Sequence, residues 1–246
     1  MSTKLTLAAV ALIAVTSLLF TSCQTQNVAA RFNSKYINNN AGKMVAQVPE
    51  NFELGYTMLA LTSLAQKDTA MIDQSTPYYQ ELMAWFGKYK NHKGVQHLNA
   101  DLSRNPKLVK SYLDGLYAFQ LNEGRLGLKS SYRIDLNKVD FKRYSILLER
   151  FYKETNFHEF YTQHANLYAQ MVQKANTIYT YNEAKTTVNG TVKGYQVILS
   201  PLTKGYAGTM EIKGHSYSEL IVFPRLSVNG RNYAMKDAIT GVNAAE

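Results

Sequence analysis

The stretch YQVILSPLTKGYAGTMEIKGHSYSELIVFP, residues 195–224, decides the fold. Its apolar runs at 195–199 and 219–223 are rich in β-branched and aromatic residues, and a proline follows closely after each run, which predicts two strands. Glycines punctuate the segment between them and favour a third strand near 209–213. We therefore expect a β-rich region over residues 183–246.

Upstream of these strands, residues 48–182 carry apolar side chains at helical spacing. Thr76 followed by Pro77 predicts a capped helix start. The longest pattern, 157–181, repeats apolar residues in steps of four and three over about six turns. The sequence therefore predicts one α+β domain, in which a mostly helical N-terminal part packs with a small, largely antiparallel C-terminal β-sheet.

The composition restricts the class of protein. The chain has 246 residues with a formal net charge of +9, and 46% of its residues are hydrophobic, which excludes global disorder. The single cysteine excludes an intramolecular disulfide framework and a cysteine-based zinc cluster. The basic residues are scattered as pairs, and no basic and aromatic nucleic-acid motif is present, so we expect no nucleic-acid partner.

Residues 1–22 are typical of a signal peptide. Lys4 precedes an apolar run over 5–20, and small residues then lead to Cys23, the one cysteine of the chain. This arrangement resembles a bacterial lipobox, except that Phe20 replaces the usual aliphatic residue. The resemblance implies cleavage before Cys23 and lipidation of this residue, with a membrane as partner through the lipid anchor. The alternative is an ordinary signal peptide that contains a cysteine.

The residues after the cleavage site indicate a location. Gln24, and no aspartate, follows Cys23, so we expect a cell-envelope protein anchored in the outer membrane of a Gram-negative bacterium. Residues 23–47 are rich in Asn and Gln and include three consecutive Asn residues, which predicts a flexible tether between the lipidated cysteine and the folded part.

Histidines provide weak candidates for a metal site. His158 and His164 are six residues apart, which places them about 120° apart around a helix, so they do not easily share one ion. Packing and surface exposure explain them equally, with Glu159 near the positive end of the helix dipole. His92 and His97 are five apart near a helix start and form a second weak pair. No nucleophile elbow, phosphate loop or dinucleotide fingerprint is present, so the motifs predict no catalytic residue.

Several strings, in their order and spacing, resemble an uncharacterised family, a domain of unknown function, of bacterial exported and lipid-anchored proteins. The strings are 53–62, Thr76-Pro77-Tyr78-Tyr79, Trp85-Phe86, 89–95, 148–157 with Phe160, Tyr161, His164 and Tyr168, and 195–202. That family is similar to zinc metallopeptidases of the His-Glu-x-x-His type, and the resemblance implies zinc as the cofactor of intact relatives. The motif is absent from this chain, so no catalytic residue is carried over. The resemblance implies either a chain truncated before its active-site helix or an inactive relative.

Two functions follow from different classes. The first is an envelope lipoprotein of the metallopeptidase-like lineage that lacks the catalytic motif, for which the sequence leaves enzyme activity open. The alternative is a non-enzymatic envelope lipoprotein that binds a peptide, a glycan or a partner protein. The tyrosine-rich helices, with Tyr78 and Tyr168 among their members, could line a ligand groove or pack half-buried.

Overall fold

The computed structural model describes residues 26–69, 71–129, 132–134, 141–178, 182, 192–203 and 208–224. The helices are α1 (Ser34–Asn40), α2 (Glu50–Ala60), α3 (Ser63–Lys67), α4 (Pro77–Phe86), α5 (Lys93–Arg104), α6 (Leu108–Leu116), α7 (Phe141–Glu154), α8 (Phe157–Gln163) and α9 (Ala165–Ile178). The strands are β1 (Gln26–Phe32), β2 (Met44–Gln47), β3 (Phe119–Asn122), β4 (Arg125–Leu128), β5 (Tyr132–Ile134), β6 (Gly194–Ile198), β7 (Gly208–Lys213) and β8 (Ser218–Phe223).

The fold is α+β, with helices packed beside a mixed sheet. Strands β2, β6, β8 and β7 are neighbours in that order, and β1 and β5 extend the sheet beyond β7. Strands β6, β7 and β8 match the three predicted from residues 195–224, and β6 and β8 are almost wholly buried. A continuous apolar run suits a strand that is covered on both faces.

The prediction of a largely antiparallel sheet is wrong. The β7–β8 and β1–β5 pairs are antiparallel, whereas the β2–β6, β6–β8 and β1–β7 pairs are parallel. The reason is topological, because β8 forms a hairpin with β7 and pairs on its other side with β6, which runs in its own direction. Local turn signals indicate hairpins, but they carry no information about such distant parallel partners.

The structure also differs from the flexible tether expected for residues 23–47. Within this segment, β1 and β2 pair with the sheet, and α1 connects them. Asn33 caps α1 by accepting a hydrogen bond from the Tyr36 backbone N at 2.8 Å. Asparagine-rich composition is therefore used here for helix capping and turns rather than for a linker.

The predicted helical region 48–182 contains a hairpin as well as helices. Thr76 caps α4 as predicted, because its Oγ1 accepts from the backbone N of Tyr79 at 3.1 Å. Further along, β3 and β4 pair across a two-residue turn formed by Glu123 and Gly124. Both turn residues have positive φ, +48° and +74°, as the favoured tight hairpin turns require.

The long helix predicted over 157–181 is divided into α8 and α9 at His164. The His164 ring Nδ1 lies 2.8 Å from the Phe160 carbonyl, which is the acceptor that an unbroken helix would offer to the His164 backbone N. That backbone N instead donates to the Tyr161 carbonyl at 3.2 Å. A side chain that competes for an i−4 carbonyl explains the break.

Helix α2 lies at the centre of the molecule. All of its residues except Glu50 are buried, and it packs against α5, α6, α7 and α8. Gly55 permits close approach to α6, since a Cβ at this position would overlap the Leu116 side chain. At the start of the helix, Phe52 stacks on Phe223 of β8 with ring centroids 5.5 Å apart. These contacts fix the position of every polar side chain on α2.

Candidate functional site

A cleft of about 470 Å³ lies between α3 and α5. We call it the lysine cleft, and it is lined by Leu61, Ser63, Gln66, Lys67, Lys90, Asn91, Val95, Gln96 and Asn99. Its volume falls in the range of small-molecule sites. The lining therefore combines four carboxamides, a hydroxyl and two ammonium groups around an apolar floor.

Hydrogen bonds orient two of the carboxamides of the lysine cleft. The Asn99 Oδ1 accepts from the backbone N and the Oγ of Ser63, at 2.8 and 2.7 Å. The Gln66 Nε2 donates to the Ala60 carbonyl at 2.7 Å and to the Tyr79 hydroxyl at 2.8 Å. These bonds hold Asn99 with an N–H donor, and Gln66 with a carbonyl acceptor, that have no partner among the described residues. Such groups can recognise hydroxyls.

The charge of the lysine cleft has one sign. Lys67 and Lys90 are exposed, and neither makes an ion pair with a described residue. The lining contains no carboxylate, while Leu61 and Val95 form a buried apolar floor. Like charges around a concave surface concentrate ligands of the opposite charge. The lysine cleft therefore suits a ligand that carries both hydroxyl and acidic groups.

A second cleft, of about 400 Å³, has a mixed charge. It is lined by Glu50, Leu121, Glu123, Gly124, Tyr152, Lys153 and His158. The Glu50 Oε1 lies 2.8 Å from the Nδ1 of His158. Burial raises the pKa of Tyr152 to about 12, and the charge of Glu50 and a hydrogen bond to it act in the same direction. The Glu50 carboxylate is therefore engaged by neighbouring side chains of the protein itself.

The four histidines predicted as weak metal candidates make separate contacts. The His92 Nδ1 accepts from the Gly94 backbone N, and its Nε2 lies 3.1 Å from Glu154. The Nδ1 of His97 accepts from Arg143 at 3.0 Å, and His158 pairs with Glu50 as described above. In the part of the chain that the structure describes, no group of three or more His, Cys, Asp or Glu residues is placed to hold a metal ion.

His164 connects the helix break to α4. Its Nε2 lies 2.8 Å from the Glu81 carboxylate, while its Nδ1 faces the Phe160 carbonyl. Because a carbonyl and a carboxylate can only accept, both contacts are hydrogen bonds only when both ring nitrogens carry a proton. The ring also packs edge-on against Tyr78 at 4.9 Å. This histidine therefore has a packing role between helices.

Glu53 is a fully buried carboxyl on α2. The Tyr78 hydroxyl donates to its Oε2 at 2.8 Å, and the Tyr168 hydroxyl lies 2.7 Å from that of Tyr78. Burial raises the pKa of Glu53 to about 7, against the influence of nearby Ser200 and Tyr78 hydroxyls, which lower it. The two tyrosines, which the sequence placed among possible groove residues, thus bind a carboxyl inside the core.

A second buried carboxyl, Glu219, lies on β8. It accepts hydrogen bonds from Tyr36 at 2.6 Å, Gln196 at 2.9 Å and Tyr117 at 3.4 Å. Burial raises its pKa, and the donors and the charge of Lys129 oppose this shift. The Lys129 ammonium lies 3.4 Å from the centroid of the Tyr117 ring, and its burial lowers its pKa to about 7. This cluster joins α1, α6 and the sheet.

Sequence reasoning missed the lysine cleft and both buried carboxyls. The sequence carries a signal for Glu53, which stands between Phe52 and Leu54, and for Glu219, which begins an apolar strand. A charged residue inside an apolar run indicates a buried polar group. The lysine cleft gives no comparable signal, because its members come from two helices and the turn before the second.

The chain has no counterpart in the comparisons: no protein-family model, no curated protein and no solved structure matches it. Within its described ranges, no helix is both long and apolar enough to cross a bilayer. Cys23 and the apolar run before it lie outside these ranges. Lipidation of Cys23 stays a prediction from the sequence.

Proposed function

We propose that the chain is a cell-envelope lipoprotein, anchored through Cys23 in the outer membrane of a Gram-negative bacterium, that binds an acidic glycan in the lysine cleft without catalysis. The observation that carries the proposal is the pairing of Lys67 and Lys90 across a cleft whose lining has no carboxylate. The lipobox-like end of the apolar run supports the anchor.

The chemistry of the lining favours a saccharide over a peptide. Side-chain amides such as Asn99 and Gln66 donate to and accept from hydroxyls, and the floor formed by Leu61 and Val95 can contact the C–H face of a sugar ring. The two ammonium groups add charge-assisted hydrogen bonds to carboxylate or phosphate substituents. A neutral sugar would leave both of them without a partner.

The metallopeptidase-like lineage remains a second proposal for the origin of the chain. It is supported by the ordered strings that resemble that family, and the absence of His-Glu-x-x-His from the sequence supports an inactive relative. The two proposals differ in metal content. Stoichiometric zinc together with hydrolysis of peptides would favour the enzyme and count against a pure binding protein.

Binding is tested with the full mature protein, purified from membranes in detergent. We expect an oligosaccharide of uronic acids to bind, with an affinity that falls as salt rises, and a neutral oligosaccharide of equal length to bind much more weakly. Calorimetry of both titrations, with zinc content measured on the same sample, gives the answer. Equal affinity for both sugars, or binding of neither, would contradict the glycan proposal.

A further inference from the structure

Three polar atoms on α2 are buried without a hydrogen-bond partner among the described residues. They are the Glu53 Oε1, the Tyr56 hydroxyl and the Thr57 Oγ1. Their positions, i, i+3 and i+4, fall within about 100° around the helix axis, so the three side chains share one face. Buried polar atoms without partners are rare, and each requires an explanation such as a bound water or ion.

The turn over residues 200–203 faces the same part of α2. The Ser200 and Thr203 hydroxyls lie close enough to lower the pKa values of Glu53 and Tyr56, respectively. Neither makes a hydrogen bond of normal geometry with the three unpartnered atoms. An isolated antiparallel bridge between Ile72 and Thr203 holds the turn in place. The groups gathered here are all oxygen atoms.

The nature of these ligands favours a cation over water. Glu53 makes no ion pair with a described lysine, arginine or histidine, and a buried carboxylate requires a compensating charge or a proton. Hard cations bind carboxylate and hydroxyl oxygens. Calcium sites use several carboxylates, whereas a single one matches the charge of a monovalent ion.

We propose that the chain binds a dehydrated monovalent cation, with sodium as the probe, between α2 and the 200–203 turn. Its ligands are the Glu53 carboxylate and the hydroxyls of Tyr56 and Thr57, and the hydroxyls of Ser200 and Thr203 complete the shell. The site is separate from the lysine cleft, and it stabilises the fold whether or not a glycan binds.

The test is thermal unfolding of the full chain in sodium chloride and in N-methylglucamine chloride at equal ionic strength. A cation that binds only the folded protein raises Tm in proportion to the logarithm of its excess over Kd. We expect a rise of about 5 °C at a hundredfold excess of sodium, and a smaller rise in potassium, which is larger. The same Tm in all three salts would overturn the proposal and leave water as the occupant.

Two variants assign the response to the site. Glu53→Gln keeps the shape of the side chain and removes its charge, and we expect the sodium-specific rise to disappear. Thr57→Val keeps the branched shape and removes one ligand, so the rise should be reduced even if Glu53→Gln does not fold. Glu219→Gln changes the other buried carboxyl and should retain the full response. A sodium response that survives both Glu53→Gln and Thr57→Val would overturn the assignment.

Discussion

At the scale of single residues, the two buried glutamates differ in how their oxygens are satisfied. Glu219 accepts hydrogen bonds from three side-chain donors, whereas only one oxygen of Glu53 has a donor of normal geometry. Carboxylates with several donors are stabilised in the charged form, and those without them favour the neutral form. The two residues should therefore respond differently to pH and to cations.

The pH dependence of stability is expected to depend in part on Glu219. Burial raises its pKa above the usual 4.5, so between these values the folded carboxyl keeps a proton that the unfolded one has lost. The folded state then binds more protons, and the free energy of unfolding falls as pH rises through the raised pKa. Above that pKa this contribution is constant.

Denaturant unfolding between pH 4.5 and 8 measures this effect. We expect the wild type to lose stability over this range relative to Glu219→Gln, which has no carboxyl to titrate. Glu123→Gln, at an exposed position, serves as the control and should follow the wild type. Parallel curves for the wild type and Glu219→Gln would show that this residue does not contribute.

At the scale of helices and strands, the contact between α2 and α6 depends on the absence of a side chain. A Cβ at Gly55 would overlap Leu116, and overpacking of this kind costs about 1–3 kcal/mol. We expect Gly55→Ala to lower the free energy of unfolding by this amount. Gly87→Ala is the matched control, since its Cβ would meet the Met83 side chain at an ordinary 3.6 Å.

A double variant shows whether the overlap is the cause. Leu116→Ala alone leaves a cavity and costs about 2–5 kcal/mol. Combined with Gly55→Ala, the added Cβ occupies space that the leucine has left, so the total cost should be smaller than the sum. Additive costs, measured by denaturant titration, would place the effect of Gly55→Ala elsewhere.

Local signals were sufficient for some elements and insufficient for others. The strands after residue 194 and the Thr76 cap follow from apolar runs and from capping chemistry, both of which act over a few residues. The direction of β8 against β6 and the pairing of β1 and β2 depend on residues far apart in sequence. The break at His164 depends on one side chain, whose bond to the Phe160 carbonyl no periodicity indicates.

At the scale of the whole molecule, the lysine cleft is an arrangement that sequence reasoning could not find. Lys67 ends α3, Lys90 lies in the turn before α5, and the positive charge of the chain is spread along its length. Tertiary packing alone brings these two ammonium groups to one cleft free of carboxylates. The binding function therefore rests on the fold rather than on a motif.

The most direct test of this function is the affinity of the mature protein for a uronic-acid oligosaccharide after charge reversal in the lysine cleft. Exposed ion pairs contribute about 0.2–1 kcal/mol each, and reversal adds repulsion. We expect the Lys67→Glu and Lys90→Glu double variant to lose at least tenfold in affinity at low salt. Lys107→Glu, an exposed control outside the cleft, should stay within about twofold of the wild type. Equal affinity of the double variant and the wild type would contradict the account.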